Sequence, residues 1–307
     1  MKFEVTILGC GAALAARGRH PSSQVVNIRG GLYMVDCGEG TQERIRENHI
    51  RLQRLGYIFI SHLHGDHYLG LMGLISSLSL LGREKAITVY GPQGLKEIIE
   101  LQLSLSKSYL RFPLHFVETS PEGVNVLLDT KDVTVYSLPL RHRIPTTGFI
   151  FKEKKAQANM SKEAISKYKI GVRDIHLIKQ GGDLTLENGE VIPHEALTSP
   201  APEARSYAYC SDTSYLPENV AHIRGVSMLY HEATFIEKDI KVAKKTRHST
   251  SAEAAEMAKA AKVGQLIIGH FSSRYSDDEV LLKEAKEVFH NTLVAEEGKT
   301  YQVNALL

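Results

Sequence analysis

Cysteine is scarce in this chain of 307 residues: Cys10, Cys37 and Cys210 stand far apart and are odd in number. That argues against a disulfide framework and a Cys-x-x-Cys metal knuckle, and a reducing, cytoplasmic setting fits best. Charge of one sign is lacking as well. With 37 Lys and Arg against 35 Asp and Glu the formal charge is only +2, so any basic surface for nucleic acid or membrane has to be local. Long hydrophobic runs are also missing, since nothing approaches the roughly 18 apolar residues of a membrane span. Ile7-Leu8-Gly9-Cys10 and Ala12-Ala13-Leu14-Ala15-Ala16 imitate an export or lipoprotein signal, but Glu4 breaks the pattern and the apolar run before Gly9 is too short. A soluble, intracellular protein with no membrane partner is the expectation.

What the chain does have is histidine, 14 in all, and 43% hydrophobic residues, ample for a buried core. Ser61-His62-Leu63-His64-Gly65-Asp66-His67 follows the apolar run Tyr57-Ile58-Phe59-Ile60, so three imidazoles and a carboxylate sit directly after a predicted buried strand. Neutral imidazole and carboxylate are usual zinc ligands, and Gly65 offers the backbone freedom for a tight turn around a metal. A polar loop with incidental histidines is the competing reading; the density of the spacing argues against it.

Phe3-Glu4-Val5-Thr6-Ile7-Leu8 alternates as a strand and runs into Gly9-Cys10-Gly11. Leu14 stands where the third glycine of a dinucleotide-binding loop belongs, which disfavours that reading. Residues 24–28 and 31–35 read as a hairpin through Arg29-Gly30, and residues 41–54 as a helix. Residues 69–81 form an almost wholly apolar helix, suited to burial between layers or to a subunit contact. The strand at 133–138 delivers His142. Strands at 207–212, 227–232 and 265–270 end in Asp212, Glu232 and His270, and an alanine-rich helix spans 251–261. Strands alternating with helices point to an α/β layered domain, with ligands placed along one edge of a sheet. From 152 to 193 the character changes: Lys152, Lys154, Lys155, Lys162, Lys167, Lys169, Arg173 and Lys179 are interleaved with small and polar residues. This insertion reads either as surface decoration or as a basic arm that grips an acidic polymer.

The ordered set His-x-His-x-Asp-His, a lone His, a lone Asp and a late His resembles the metallo-β-lactamase superfamily. The resemblance implies a four-layer αββα sandwich forming a single domain over 1–307, with two zinc ions (other divalent metals being possible) at the strand ends. His62, His64 and His142 would hold one, Asp66, His67 and His270 the other, and Asp212 would bridge them. Within the superfamily the chain resembles the ribonuclease Z family along most of its length. Asp36-Cys37-Gly38-Glu39-Gly40-Thr41-Gln42, Tyr90-Gly91-Pro92, His231-Glu232-Ala233-Thr234, Arg247-His248-Ser249-Thr250 and Gly269-His270-Phe271-Ser272-Ser273-Arg274-Tyr275 carry it.

That likeness implies precursor tRNA as substrate, a homodimer, catalytic roles for Asp66, His248 and Glu232, and a flexible tRNA-binding arm at 152–193. The arm departs from the family pattern, with Val172 after Gly171 where a proline is usual and Ile178-Lys179-Gln180-Gly181 as its following run. Two metals about 3.5–4 Å apart would activate a water and neutralise phosphate charge. In this reading hydroxide attacks phosphorus, Asp66 accepts a proton while binding metal, and His248, oriented or charged by Glu232, donates to the leaving 3′-oxygen. The products would be tRNA with a 3′-OH and a trailer with a 5′-phosphate. The rival readings are another hydrolase on this scaffold, acting on thioesters, lactams or small phosphodiesters, and a non-catalytic RNA-binding protein.

Overall fold

Alternation of side chains along the strands builds the interior. The computed structural model describes residues 2–156, 158–201 and 203–306. Its elements begin with β1 (Phe3–Gly9), β2 (Ser23–Ile28), β3 (Gly31–Cys37), α1 (Thr41–Glu47), β4 (Leu55–Phe59), α2 (Gly65–Tyr68), α3 (Leu71–Leu80), β5 (Ile87–Gly91), α4 (Leu95–Leu105) and β6 (Leu114–Glu118). Next come β7 (Val126–Asp129), β8 (Val133–Leu140), β9 (Thr146–Glu153), β10 (Asn159–Met160), α5 (Lys162–Tyr168), α6 (Val172–Lys179), β11 (Leu184–Thr185), β12 (Val191–Ile192), α7 (His194–Leu197) and β13 (Thr198–Ser199). The chain closes with β14 (Ser206–Cys210), β15 (Met228–Glu232), α8 (Ile240–Thr246), α9 (Ser251–Ala261), β16 (Gln265–Gly269), α10 (Glu279–Val288), β17 (Thr292–Val294) and β18 (Thr300–Gln302).

Two seven-stranded sheets result, ordered β18-β1-β2-β3-β4-β5-β6 and β17-β16-β15-β14-β9-β8-β7. On β1 to β4, Phe3, Val5, Ile7, Val26, Ile28, Tyr33, Val35 and Phe59 turn toward the second sheet. Their neighbours Leu8, Val25, Leu32, Met34 and Ile58 turn the other way, onto Leu71, Leu74, Ile75 and Leu78 of α3 and Ile45 of α1. Aromatic rings join the sheets: Phe59 lies 5.3 Å from Phe149 and 5.4 Å from Phe151, and Tyr33 lies 5.9 Å from Phe151. Such pairs add about 0.5–1.5 kcal/mol beyond the area they bury. Behind the second sheet, α9 contributes Ala254, Ala255, Ala258 and Ala261 to the same core. The layering is therefore helix, sheet, sheet, helix.

Contacts divide the chain into two compact units, Met1–Glu153 with Arg205–Leu307, and Lys154–Ala204. The smaller unit has its own core of Ala164, Ile170, Ile178, Leu184, Ile192 and Leu197 and two short ladders, β10–β13 and β11–β12. Its charge is divided: residues 154–180 hold seven basic and two acidic side chains, whereas 181–204 hold five acidic and no Lys or Arg. Val172 occupies the first position of α6, after an extended Gly171 cap. Proline also suits that position, so the departure at Val172 leaves the helix start intact.

Three local expectations are revised. The helix expected over 41–54 stops at Glu47, with His49 in the left-handed region, and only a short 3₁₀ turn follows at Leu52–Arg54. Gly65 opens α2 and is not among the positive-φ glycines, so the position does not draw on the left-handed freedom of glycine. The polar strand ends do not share one sheet. β4 belongs to the first, and β8, β14, β15 and β16 to the second.

Candidate metal centre

Local backbone turns bring the strand ends to one place. Asp36, Asp212 and His270 all adopt positive φ, at 55°, 60° and 58°, as does Arg247 before His248 at 57°. Left-handed non-glycine residues are costly and cluster where a fold must aim side chains. Close backbone approach keeps the exit of β3 against the turn between α2 and α3: Gly70 N donates to Cys37 O at 2.9 Å, and a Cβ on Gly70 would sit 2.0 Å from Gly38 O.

All seven expected ligands converge, as two groups sharing Asp212. In the first, His62 Nε2 is 3.0 Å and His142 Nε2 3.2 Å from His64 Nδ1. Asp212 Oδ2 lies 3.6 Å from His62 Nε2 and 3.5 Å from His142 Nε2. In the second, Asp212 Oδ1 lies 3.1 Å from both His67 Nε2 and His270 Nε2, with Asp66 Oδ2 3.4 and 3.5 Å from the same two nitrogens. Asp66 Oδ2 also accepts Ala13 N–H at 2.8 Å.

Outer partners hold the far side of three of these rings. His142 Nδ1 donates to Arg247 O at 2.9 Å and His67 Nδ1 to Asp36 Oδ2 at 2.7 Å. His270 Nδ1 lies 3.0 Å from Thr234 Oγ1, which donates to Glu232 Oε2 at 2.5 Å. The Nε2 atoms of these three rings therefore face inward, toward the carboxylates of Asp66 and Asp212. Among the described residues His67 Nε2 and His270 Nε2, both buried, have no hydrogen-bond partner. Burial holds His62, His64 and His142 below the usual histidine range and so keeps them neutral. Burial opposes charge on His67 too, but Asp212, Asp36 and Asp66 outweigh it and raise its pKa. Converging imidazole nitrogens beside two carboxylates are what a divalent cation requires, so the donor set fits metal.

Behind this cluster Glu232, fully buried, accepts from His248 Nδ1 at 2.9 Å, Thr213 N at 2.6 Å and Ser249 N at 3.1 Å. Burial disfavours a charged His248, yet the charge and hydrogen bond of Glu232 prevail and push its pKa up to about 9. His248 lines a cleft of about 630 Å³ together with His64, Asp66, His142, Asp212 and His270, and Arg143, Phe235 and Leu14 are also in its wall. Asp36, Ser61 and Thr234 also belong to the site, although no local pattern singles them out. All three lie inside the sequence motifs described above, but nothing in those motifs marks which side chains they face. His231, set aside as an ordinary residue, is buried with Nδ1 donating to Glu232 O at 2.8 Å.

Over 303 residues the chain is 46% identical to ribonuclease Z from Bacteroides thetaiotaomicron, covering 99% of this chain and 96% of that one. It belongs to the ribonuclease Z family. Among solved structures, family resemblance extends to human tRNase Z, short form, at 27% identity and a TM-score of 0.70, covering 98% and 99% of the two chains. The metallo-β-lactamase fold protein YhfI from Bacillus subtilis aligns at a TM-score of 0.69 and 18% identity, over 98% of this chain and 100% of that one, and so shares the fold. The family described as Anti-Pycsar protein Apyc1 matches residues 3–155 of this family member. The metallo-β-lactamase fold expected from the sequence is thus present.

Proposed function

We propose that this chain is a metal-dependent endoribonuclease that removes the 3′ trailer from precursor tRNA, leaving a tRNA 3′-OH and a trailer 5′-phosphate. The observation that carries the reading is the pair of inward-facing donor groups joined by Asp212 and set beside the His248–Glu232 pair, in a chain 46% identical to a ribonuclease Z. His62, His64, His142 and Asp212 would hold one zinc ion, and Asp66, His67, His270 and Asp212 a second. Such a pair supplies an activated water and a counter-charge for the scissile phosphate.

The remaining chemistry falls to the protein. Glu232 holds His248 by Nδ1, which leaves Nε2 to present a proton to the departing 3′-oxygen. Burial alone would raise the Asp66 pKa, but His67 and His270 draw it down, so the carboxylate stays ionised and suited to ligation. The basic half of Lys154–Ala204 offers charges for the tRNA backbone. A cytoplasmic homodimer completes the reading. Among the described residues no helix is long and apolar enough to cross a membrane.

The test is end-mapping on a precursor tRNA with a 3′ trailer, alongside a generic small phosphodiester. Cleavage at the trailer junction, lost on metal removal and in Asp212→Ala, is the expected result. Full activity of the metal-free protein or of Asp212→Ala would overturn the mechanism.

A further inference from the structure

The cleft lined by the metal donors is poor in fixed positive charge. Among the described residues Arg143 is the one Lys or Arg in its wall. The backbone that carries it is tied on both sides. Arg141 N donates to Thr213 Oγ1 at 3.2 Å, Ser214 N to Arg141 O at 2.9 Å and Thr147 N to Ser61 O at 3.0 Å. His142 and Arg247 are cross-bonded, since His142 Nδ1 donates to Arg247 O at 2.9 Å and Arg247 Nη1 to His142 O at 2.7 Å. The peptide leading into Arg143 is thereby joined to the one leading into His248, and the His142 and His248 rings lie 4.8 Å apart. Arg143 itself is exposed and, among the described residues, its side chain makes no hydrogen bond or ion pair. Its neighbours Arg141 and Arg247 are committed, to Glu218 Oε1 at 3.3 Å and to His142 O. An unpaired arginine on an open surface needs no partner, because water serves it. In a cleft wall, on an anchored turn, the free fork is held ready for an anion.

We propose that Arg143 grips a backbone phosphate of the RNA, the one that precedes the scissile phosphate on the side of the leaving 3′-oxygen. The inference rests on the reading of this cleft as an endoribonuclease site. Its placement follows from His248: the proton donor marks where the 3′-oxygen departs, and Arg143 stands on the turn tied to it. A small phosphodiester has no second phosphate to offer, so the contact favours a polymer. Arginine suits the role, because its charge is permanent and its planar fork can bind two phosphate oxygens at once.

Zinc-loaded full-length protein tests this with a precursor tRNA that carries one neutral methylphosphonate at that position, against a matched phosphate control, both with 2′-O-methyl at the same nucleotide. In the parent, neutralising the phosphate should lower kcat/KM by about 10–100-fold, the range for a charge-assisted contact. Arg143→Ala should lose as much on the phosphate control, mostly through KM, and no more than about twofold further on the methylphosphonate. Arg143→Lys keeps the charge without the fork and should recover part of the loss. In a His248→Ala background, where turnover is slow, Arg143→Ala should also make the salt slope of precursor affinity shallower by about one. Parental zinc content in Arg143→Ala is expected; a loss of zinc would assign the defect to His142 and overturn the proposal. Additive losses from Arg143→Ala and the methylphosphonate would overturn it too, as would non-additivity confined to a methylphosphonate on the trailer side. A parent that fails to cut the precursor refutes the ribonuclease reading itself, whereas a cutting parent with additive losses removes only the role of Arg143.

Discussion

At the residue scale, Glu232 and His248 form one hydrogen-bonded pair with different surroundings. Glu232 is fully buried and spends its oxygens on Thr213 N, Ser249 N, Thr234 and His248, so it acts only through its neighbours. His248 is the member that faces the cleft. Replacing His248 with Ala should therefore lower the single-turnover cleavage rate by about 10²–10⁴-fold, the range for loss of a general acid, with little change in precursor affinity. Glu232→Gln keeps the shape but removes the charge, and it should slow the same step by less. An equal loss of affinity with an unchanged single-turnover rate would make the pair structural. Asp36, Ser61 and Thr234 show why such residues escape a sequence reading. Asp36 is 31 positions from His67 and 173 from Tyr209, so its importance comes from donors that only the folded chain assembles.

Elements carry the signals that were legible. Apolar runs ending in His or Asp announced β4, β14 and β16, because period-two burial and a polar stop are local properties. Which sheet each strand joins is not local, and the ligands proved to come from two. The junction at Glu153 was equally hidden: Arg205 Nε and Nη2 each donate to its carboxylate at 2.9 Å, and Arg29 Nε does so at 3.1 Å. Burial raises the Glu153 pKa, but the Arg205 and Arg29 contacts overcome it and leave the pKa lowered. A carboxylate depressed in the folded state stabilises fully above its unfolded value, about 4.3, and loses that contribution as pH falls through the folded value. Glu153→Gln should thus lower Tm by a few degrees at pH 7, with the gap to the parent narrowing in melts below about pH 4. An equal gap at both pH values would remove the ion pairs as its cause. The same junction permits a clean excision. Glu153 N donates to Arg205 O at 2.9 Å and Ser206 pairs with Lys152, so a short glycine turn can replace 154–204. The shortened protein should still hydrolyse a small phosphodiester but bind precursor tRNA more weakly and with a shallower salt dependence, measured by filter binding. Unchanged tRNA processing would reduce the insertion to decoration.

At the scale of the whole molecule, the larger unit leaves several large apolar side chains in solvent. Leu71, Leu74, Ile75 and Leu78 of α3 are buried, yet Leu80 is 85% exposed, Leu81 61% and Tyr109, after α4, 88%. Arg111 N donates to Ser79 Oγ at 3.2 Å, which ties the segment after α4 to the end of α3. Leu101 and Leu105 of α4 extend the exposed apolar surface. Exposed large apolar side chains of this kind suit a subunit contact, and the homodimer proposed above would use them. Light scattering coupled to gel filtration should therefore give twice the chain mass. The double variant Leu80→Glu with Leu81→Glu should give the single mass without a drop in Tm, because neither side chain supports the monomer core. Zinc content should also survive, since all the donors come from one chain. A parent protein that runs as a monomer at micromolar concentration would rule the dimer out.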